Sequence, residues 1–271
     1  MLCGAARFEA EVGTLNVSSD FTGAGARLGQ GIRALCAQAR LEPAALAQAS
    51  VYLGLAGVTG PDMAARVAAL VPAGRVRVED DRPAALVGAL GGRDGTVAGI
   101  GTGSFLARQS GSEVRLMGGW GLHLGDEASA AWLGRGGLAL TLKTRDGLVP
   151  PSALTEALLA EFDGESAAIV AFAQGASPAE FGRFAPKIAA AAEDGDPHGL
   201  ALMREGAGYI ETAARCLGWR GSEALCLIGG LAPRYAPYLS AEMRDAVTPP
   251  AGTALDGAIT LARRLRAEAG Q

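Results

Sequence analysis

Short apolar runs alternate with segments of helical period over the first half of the chain, and this alternation limits the fold more than any other feature. The strand-like runs are residues 51–58 and 75–80, and the helical segments are residues 21–41, 60–71 and 82–90. Three more strand-like runs, "TVAGIG", "SFLARQ" and "EVRLMG", then follow in close succession. Helices that separate buried parallel strands, with a hairpin at the end, predict an α/β fold.

The second half of the chain is mostly helical, and this change of pattern predicts a second lobe. The expected elements are helices over residues 126–144, 152–161, 165–174, 177–194 and 197–218, a strand over residues 224–230, and a final helix over residues 253–268. Since the pattern changes near residues 115–120, we expect an N-terminal α/β lobe over residues 1–117. A helix-rich α/β lobe would then comprise residues 118–271.

Composition excludes several functional classes. The 271 residues are 49% hydrophobic, and the net charge of −4 comes without a basic stripe, so nucleic acid is not an expected partner. No run reaches the ~18 apolar residues of a membrane span, and Glu9 and Glu11 stand where a signal peptide needs its apolar core, so we expect a soluble, cytoplasmic protein. The four cysteines are scattered rather than spaced as metal ligands, and we interpret them as buried free thiols.

The sequence Gly101-Thr102-Gly103-Ser104 lies between two of the predicted strands and is a candidate phosphate-binding turn. Glycines there permit positive φ angles and a close approach of backbone N–H groups to a ligand, and the two hydroxyl groups add further donors. An ordinary glycine-rich hairpin is the structural alternative. The motif by itself leaves both interpretations open.

A second glycine turn, Gly229-Gly230, ends the apolar run of residues 224–230. Strand ends of this kind pass beneath ligands at the carboxyl edge of α/β sheets. Neither turn has the Gly-Lys-Ser/Thr ending of a P-loop or the spaced glycines of a dinucleotide fingerprint. Phosphates bound here would depend on backbone and hydroxyl donors, with Mg²⁺ to offset their charge, and we assign no protein ligand to that metal.

Two acidic pairs precede helical segments. Asp80-Asp81 end a strand, and Asp126-Glu127 open a helix after a glycine-rich stretch. Helix capping is the structural alternative for one carboxylate of each pair. A strand-end carboxylate of the pair Asp80-Asp81 that faces a cleft could instead accept the proton of an attacking hydroxyl group. A carboxylate of the pair Asp126-Glu127 could hold sugar hydroxyls or a hydrated Mg²⁺.

Isolated polar and aromatic residues carry weaker signals. Asn16 precedes the first helix, either as a turn residue or as a ligand contact. Trp120 and Trp132 flank the second acidic pair, where stacking on a sugar or base competes with core packing. His123 and His198 have no second His or Cys near them in the sequence, and we interpret both as structural.

Six short motifs occur in order along the chain. They are "DRPAAL" from Asp81, "GTGS" from Gly101, "GGWG" from Gly118, "LGDEAS" from Leu124, "IGGL" from Ile228 and "AGTALDGA" from Ala251. Together they resemble the BadF/BadG/BcrA/BcrD-type ATPase family, and within it the N-acetylglucosamine and glucosamine kinases. The resemblance implies the actin-like (ribonuclease H-like), hexokinase-like ATPase fold, in which two lobes close over ATP, Mg²⁺ and a sugar and the final helix packs back on the first lobe.

The resemblance also implies roles for individual residues. Asp81 matches the family's catalytic base, which takes the proton from the 6-hydroxyl of the sugar as that hydroxyl attacks the γ-phosphate of ATP. The turn at residues 101–104 matches a phosphate loop, and the turn at residues 229–230 matches the adenosine side. The implied sugar contacts are Asn16, Asp81, Gly119, Trp120 and Asp126.

One family motif has no counterpart in this sequence. The family begins with a strand and a first phosphate loop that reads Asp-Gly-Gly-Gly-Thr, and nothing similar precedes Gly13. We expect a misassigned start or a truncation rather than a true loss, because phosphoryl transfer needs this element.

Several functions remain open at this stage. A sugar- or nucleotide-binding regulatory protein that kept the cleft and lost catalysis is the alternative to a kinase. A dehydratase-activating ATPase is less favoured, since Gly99 and Ile100 stand where the cysteine for a shared iron–sulfur cluster is expected. The acceptor sugar is not determined, and the resemblance implies a homodimer without identifying its interface.

Overall fold

The computed structural model describes residues 1–13 and 15–268, and the chain divides into two compact units. Unit 1 comprises Met1–Gly92 and Ala251–Gln271, and unit 2 comprises Arg93–Pro250. This division differs from the predicted one, which places the boundary after residue 117. The physical reason is that the hairpin strands between residues 95 and 118 share one sheet with a strand near residue 225, so they belong to the second unit.

Among its described residues, unit 1 contains a parallel strand pair, a short antiparallel pair, four α-helices and a 3₁₀-helix. Ser50–Gly54 pairs with Arg75–Glu79, with Tyr52 opposite Arg77, as expected for strands separated by a crossover helix. The strands are Leu2–Cys3, Ala6–Arg7, Ser50–Gly54 and Arg75–Glu79; the α-helices are Phe21–Ala39, Pro61–Ala68, Arg82–Leu90 and Ala254–Ala267, and Pro43–Gln48 is a 3₁₀-helix.

Two glycines let the last helix pack closely on the helix Arg82–Leu90. A Cβ at Gly88 would lie 1.9 Å from the Thr253 carbonyl oxygen, and a Cβ at Gly257 would lie 1.9 Å from the Ala84 carbonyl oxygen. Thr253 begins the last helix through a capping box, since its Oγ1 accepts from the Asp256 N–H and the Asp256 carboxylate accepts from the Thr253 N–H. The C-terminal helix is therefore an integral part of unit 1.

Unit 2 is built on a four-stranded sheet. The strands lie in the order Glu113–Gly118, Ser104–Ser110, Gly95–Ile100 and Ala224–Ile228. Gly95–Ile100 pairs antiparallel with the strand after it and parallel with Ala224–Ile228, and all six of its residues are buried. Because the parallel strands end at the same edge, the two glycine turns come together there.

Helices cover the remainder of unit 2. The α-helices are Ala130–Arg145, Ala153–Ala160, Ser166–Gly175, Pro178–Gly182, Ala185–Glu193, Pro197–Cys216 and Ala241–Asp245, and Ala232–Tyr238 is a 3₁₀-helix. The single helix expected over residues 177–194 is divided in two. Phe184 turns into the core at the break, where it is 1% exposed, and Pro186 lacks the N–H that a continuous helix would use.

The helix expected from Asp126 begins at Ala130 instead. Ser129 is its N-cap, and its Oγ accepts the N–H of Trp132 at 3.0 Å. Asp126 has a φ angle of +59°, which no helical residue adopts. Because Ser129 caps the helix and the Asp126 carboxylate accepts N–H groups of Gly121 and Ser104, capping by Asp126 is wrong.

The cysteine interpretation holds for two of the four residues. Cys36 and Cys226 are buried, whereas Cys3 and Cys216 are exposed, because Cys216 occupies the solvent side of its helix. In the described part of the chain, no helix combines the length and apolar character needed to cross a bilayer.

The substitution Gly88→Ala is expected to destabilise the protein by about 1–3 kcal/mol, since the added methyl group has no space against the neighbouring carbonyl. Gly208→Ala is the matched control, because Gly208 is also helical and a Cβ there meets nothing within 4 Å. The control should leave stability unchanged or raise it by up to ~1 kcal/mol. Urea unfolding followed by circular dichroism measures both variants, and equal stabilities would contradict the packing argument.

Candidate active site

The first glycine turn (residues 101–104) directs two of its carbonyl groups to a helix and leaves two of its N–H groups without an acceptor in the described part of the chain. The carbonyl oxygens of its first two residues accept hydrogen bonds from the N–H groups of Ala130 at 2.9 Å and Ala131 at 3.2 Å. In the described part of the chain, the N–H groups of Thr102 and Gly103 have no protein acceptor. The turn thus connects two hairpin strands and also presents two N–H donors without a partner, and such donors suit an anion such as a phosphate oxygen.

The second glycine turn (Gly229 and Gly230) lies against the strand that leads into the first. Gly229 has a φ angle of +95°, and a Cβ there would lie 2.4 Å from the Ile100 carbonyl oxygen. The Leu231 N–H donates to that same oxygen at 3.2 Å. These contacts bring the two glycine turns together, and both Gly229 and Gly230 are exposed, so this turn is open to a ligand.

The acidic turn (residues 125–129) holds an unusual backbone conformation. Asp126 and Ala128 have φ angles of +59° and +66°, and left-handed non-glycine residues cost about 1–3 kcal/mol each. The Ser104 Oγ donates to one carbonyl oxygen of the turn at 2.6 Å, and the buried Tyr235 hydroxyl donates to another at 2.8 Å. These contacts join the acidic turn to the first glycine turn, and such retained strain commonly marks a functional site.

Asp126 links two loops through its carboxylate. It is 7% exposed, and its oxygens accept the N–H groups of Gly121, at 3.2 Å, and Ser104. A Cβ at Gly103 would lie 2.8 Å from Asp126 Oδ2, so only glycine leaves room for this carboxylate. Desolvation raises the pKa of Asp126, and the two backbone donors partly offset that rise. The predicted sugar contact is therefore mainly engaged with the backbone.

Trp120 is 74% exposed, so the core-packing alternative is wrong for this residue. Gly119 beside it is also exposed and has a φ angle of +76°. Trp132, by contrast, packs against the core of unit 2. Of the two aromatic candidates, only Trp120 presents an indole surface that a ligand can contact.

Two residues of this site were not assigned from the sequence. The Glu127 carboxylate is partly exposed and makes no hydrogen bond or ion pair within the described residues. Tyr209 comes from a distant helix, and its hydroxyl would lie 2.9 Å from a Cβ at Gly118. Desolvation, followed by the charges of Glu127 and Asp126, raises the pKa of Tyr209. The exposure of the Glu127 carboxylate depends on the conformation of the acidic turn, and the position of Tyr209 depends on the packing of the helix Pro197–Cys216. No local sequence pattern indicates either one.

The two carboxylates of the acidic pair in unit 1, Asp80 and Asp81, have different environments. Asp80 Oδ1 accepts from the Arg82 backbone N–H at 3.0 Å and from its Nε at 2.5 Å. Asp81 occupies the N-cap position of the helix Arg82–Leu90 but makes no capping hydrogen bond, and it is exposed. Although the residue is exposed overall, neighbouring protein atoms partly desolvate its carboxyl group; this effect, followed by the charge of Asp80, raises the pKa of Asp81. Capping is therefore wrong for Asp81, and its carboxylate is free to accept a proton.

Asn16 lies near the same end of the parallel strands in unit 1. It forms a bridge with Ala56, just beyond the strand Ser50–Gly54. Its Oδ1 accepts from the Ser18 N–H at 3.0 Å and from the Ser18 hydroxyl at 2.8 Å, which is the turn role that the sequence leaves open. A ligand contact by Asn16 would therefore use its amide NH₂ group.

Comparisons with known proteins agree with these features. The chain is 29% identical over 191 residues to the glucosamine kinase GspK of Vibrio cholerae, a match that covers 70% of this chain and 65% of that kinase, which is less than two thirds of its length. The structure of a proposed N-acetylglucosamine kinase from Chromobacterium violaceum is 32% identical, with a TM-score of 0.81 over 91% of this chain and 87% of the other.

A proposed N-acetylglucosamine kinase from Porphyromonas gingivalis shares the fold, with a TM-score of 0.68 at 23% identity over 91% of this chain and 87% of the other. These neighbours confirm the predicted actin-like, hexokinase-like fold class. The sequence profile of the BadF/BadG/BcrA/BcrD ATPase family matches residues 9–259. The chain therefore belongs to the BadF/BadG/BcrA/BcrD ATPase family.

Proposed function

We propose that this protein transfers the γ-phosphoryl group of ATP to the 6-hydroxyl of an amino sugar, either glucosamine or N-acetylglucosamine. The observation that carries the proposal is the free carboxylate of Asp81. It stands at an N-cap position without capping, while Asp80 makes the local hydrogen bonds instead. Relatives named as kinases of these two sugars support the choice of acceptor.

The two glycine turns would bind the nucleotide. The free N–H groups of Thr102 and Gly103 would donate to phosphate oxygens, and Ser104 is already engaged with the acidic turn. Gly229 and Gly230 would lie beside the adenosine. Mg²⁺ bound with ATP would offset the charge of the phosphates. No group of three or more His, Cys, Asp or Glu side chains that could hold a metal occurs among the described residues, so phosphate oxygens and water would be its main ligands.

Asp81 acts on the acceptor. As the sugar O6 attacks the γ-phosphorus, the Asp81 carboxylate accepts the proton of that hydroxyl, and the bond from the γ-phosphorus to the bridging oxygen breaks to release ADP. A raised pKa suits this role, since a more basic carboxylate is the better acceptor as long as it remains ionised. The proposed sugar contacts are Asn16 in unit 1 and Gly119, Trp120 and Asp126 in unit 2.

The substitution Asp81→Asn is expected to lower kcat by ~10²–10⁴ while changing the KM for sugar little, because the amide cannot accept the proton. The measurement is sugar-dependent ADP release with ATP and Mg²⁺ over glucosamine, N-acetylglucosamine and glucose. Asp62→Asn, at an exposed aspartate of unit 1, is the control and should keep wild-type activity. Release of ADP with none of the sugars would refute the proposal, and sugar binding without turnover would favour the regulatory alternative.

The pH dependence of kcat/KM at low pH should reflect the ionisation of the Asp81 carboxyl group. Activity falls as the pH drops through its pKa, since only the carboxylate accepts a proton, and the raised pKa moves this limb to higher pH than an ordinary aspartate would give. Asp80→Asn removes a negative charge that raises this pKa, so it should move the limb to lower pH. A pH–rate profile with a neutral acceptor sugar tests the direction, and an unmoved or upward-shifted limb would show that another group titrates.

A further inference from the structure

The backbone at Glu127 is held in one conformation, while its carboxylate has no partner among the described residues. It lies between Asp126 and Ala128, whose φ angles are +59° and +66°, and its own carbonyl oxygen accepts the Ser104 hydroxyl at 2.6 Å. Such a backbone has few alternative conformations, so the position of the Glu127 Cα is fixed. The side chain, however, extends into a partly exposed position without a protein partner in the described chain. A carboxylate with free lone pairs suits a ligand that donates hydrogen bonds or carries positive charge.

An exposed indole lies beside this carboxylate. A Cβ at Gly125 would lie 3.3 Å from Trp120 Cβ, 3.6 Å from Trp120 Cδ1 and 3.5 Å from Glu127 Oε2. The two side chains therefore flank Gly125, and this glycine leaves the space between them open. Trp120 is 74% exposed, so the indole is available to a ligand that contacts Glu127.

The charge of this region is negative. Asp126 adds its carboxylate, although its oxygens already accept two backbone N–H groups. Arg135 is tied to the same loop through a 3.3 Å hydrogen bond to the Leu122 carbonyl oxygen, and no ion pair joins it to Glu127 in the part of the chain described. The free negative charge thus belongs to Glu127.

We infer that Trp120 and Glu127 form a subsite for the protonated amine of a 2-amino sugar, so that the free amino sugar is preferred over its N-acetyl form. The inference rests on the proposed kinase function and names the substrate class of that site. An ammonium group gains a charge-assisted hydrogen bond from the carboxylate and a cation–π contact from the indole. A neutral N-acetyl group gains neither, and neutral glucose differs from glucosamine only at that carbon.

The first test compares kcat/KM for glucosamine, glucose and N-acetylglucosamine at a pH that keeps the sugar amine protonated. Wild-type protein should favour glucosamine. Glu127→Gln should lower kcat/KM for glucosamine about tenfold, mainly through KM, and leave glucose little changed. Glu113→Gln, at an exposed carboxylate of the edge strand, is the matched control and should preserve the preference. A wild-type preference for a neutral sugar, or an unchanged ratio in Glu127→Gln, would overturn the inference.

The second test does not depend on turnover. Of the three tryptophans, Trp219 is 5% exposed and Trp132 packs on the core, so fluorescence quenching reports mainly on Trp120. Glucosamine should change the emission at lower concentration than glucose does, and Glu127→Gln should remove that advantage. Trp120→Phe should abolish the sugar-dependent change itself, because it removes the reporting indole. If no sugar is phosphorylated but this advantage is seen, the kinase proposal fails and the subsite stands. If sugars are phosphorylated and glucosamine binds no better than glucose, the subsite fails alone.

Discussion

The strand Gly95–Ile100 is hydrogen-bonded along both edges, and the candidate site in unit 2 depends on that pairing. Its antiparallel neighbour leads away from the first glycine turn, and its parallel neighbour leads into the second. The Ile100 carbonyl oxygen ends the strand and accepts the Leu231 N–H, which fixes the distance between the turns. Since every residue of the strand is buried, a shift of register would expose apolar side chains, and so the turns cannot slide past each other.

The strained acidic turn explains why the carboxylates of Asp126 and Glu127 differ in burial and in hydrogen bonding. The Asp126 carboxylate is buried and accepts backbone N–H groups, whereas the Glu127 carboxylate is partly exposed and has no partner within the described residues. The Tyr235 hydroxyl donates to the Ala128 carbonyl oxygen, and the Ser104 hydroxyl donates to the Glu127 carbonyl oxygen. The strain at Asp126 and Ala128 is thus offset by hydrogen bonds from the protein core and from the glycine turn.

The sequence analysis correctly predicted the elements whose signals are local. The strands near residues 51, 75 and 95 follow from apolar runs, and the helix Arg82–Leu90 follows from Pro83 and the glycine at its end. The position of Asp81 at a strand end is equally local, and its proposed role as a base stays a prediction.

Features set by distant contacts could not be predicted. The unit boundary depends on the pairing of Gly95–Ile100 with Ala224–Ile228, which no local pattern encodes. The start of the helix at Ala130 rather than Asp126 depends on the first glycine turn, whose carbonyl oxygens accept the N–H groups at that start. The exposure of Trp120 and Cys216 depends on which face of the fold each residue occupies, and composition does not determine that.

The helix Ala254–Ala267 gives the protein an order of assembly during synthesis. Unit 2 is complete in the chain once Pro250 has emerged from the ribosome, and domains generally fold as units in this setting. Unit 1 begins earlier but cannot bury the surface around Gly88 until the last helix has been made. Unit 1 is therefore finished after unit 2, although most of its residues precede unit 2 in the chain, and during that interval the surface that the last helix covers stays exposed.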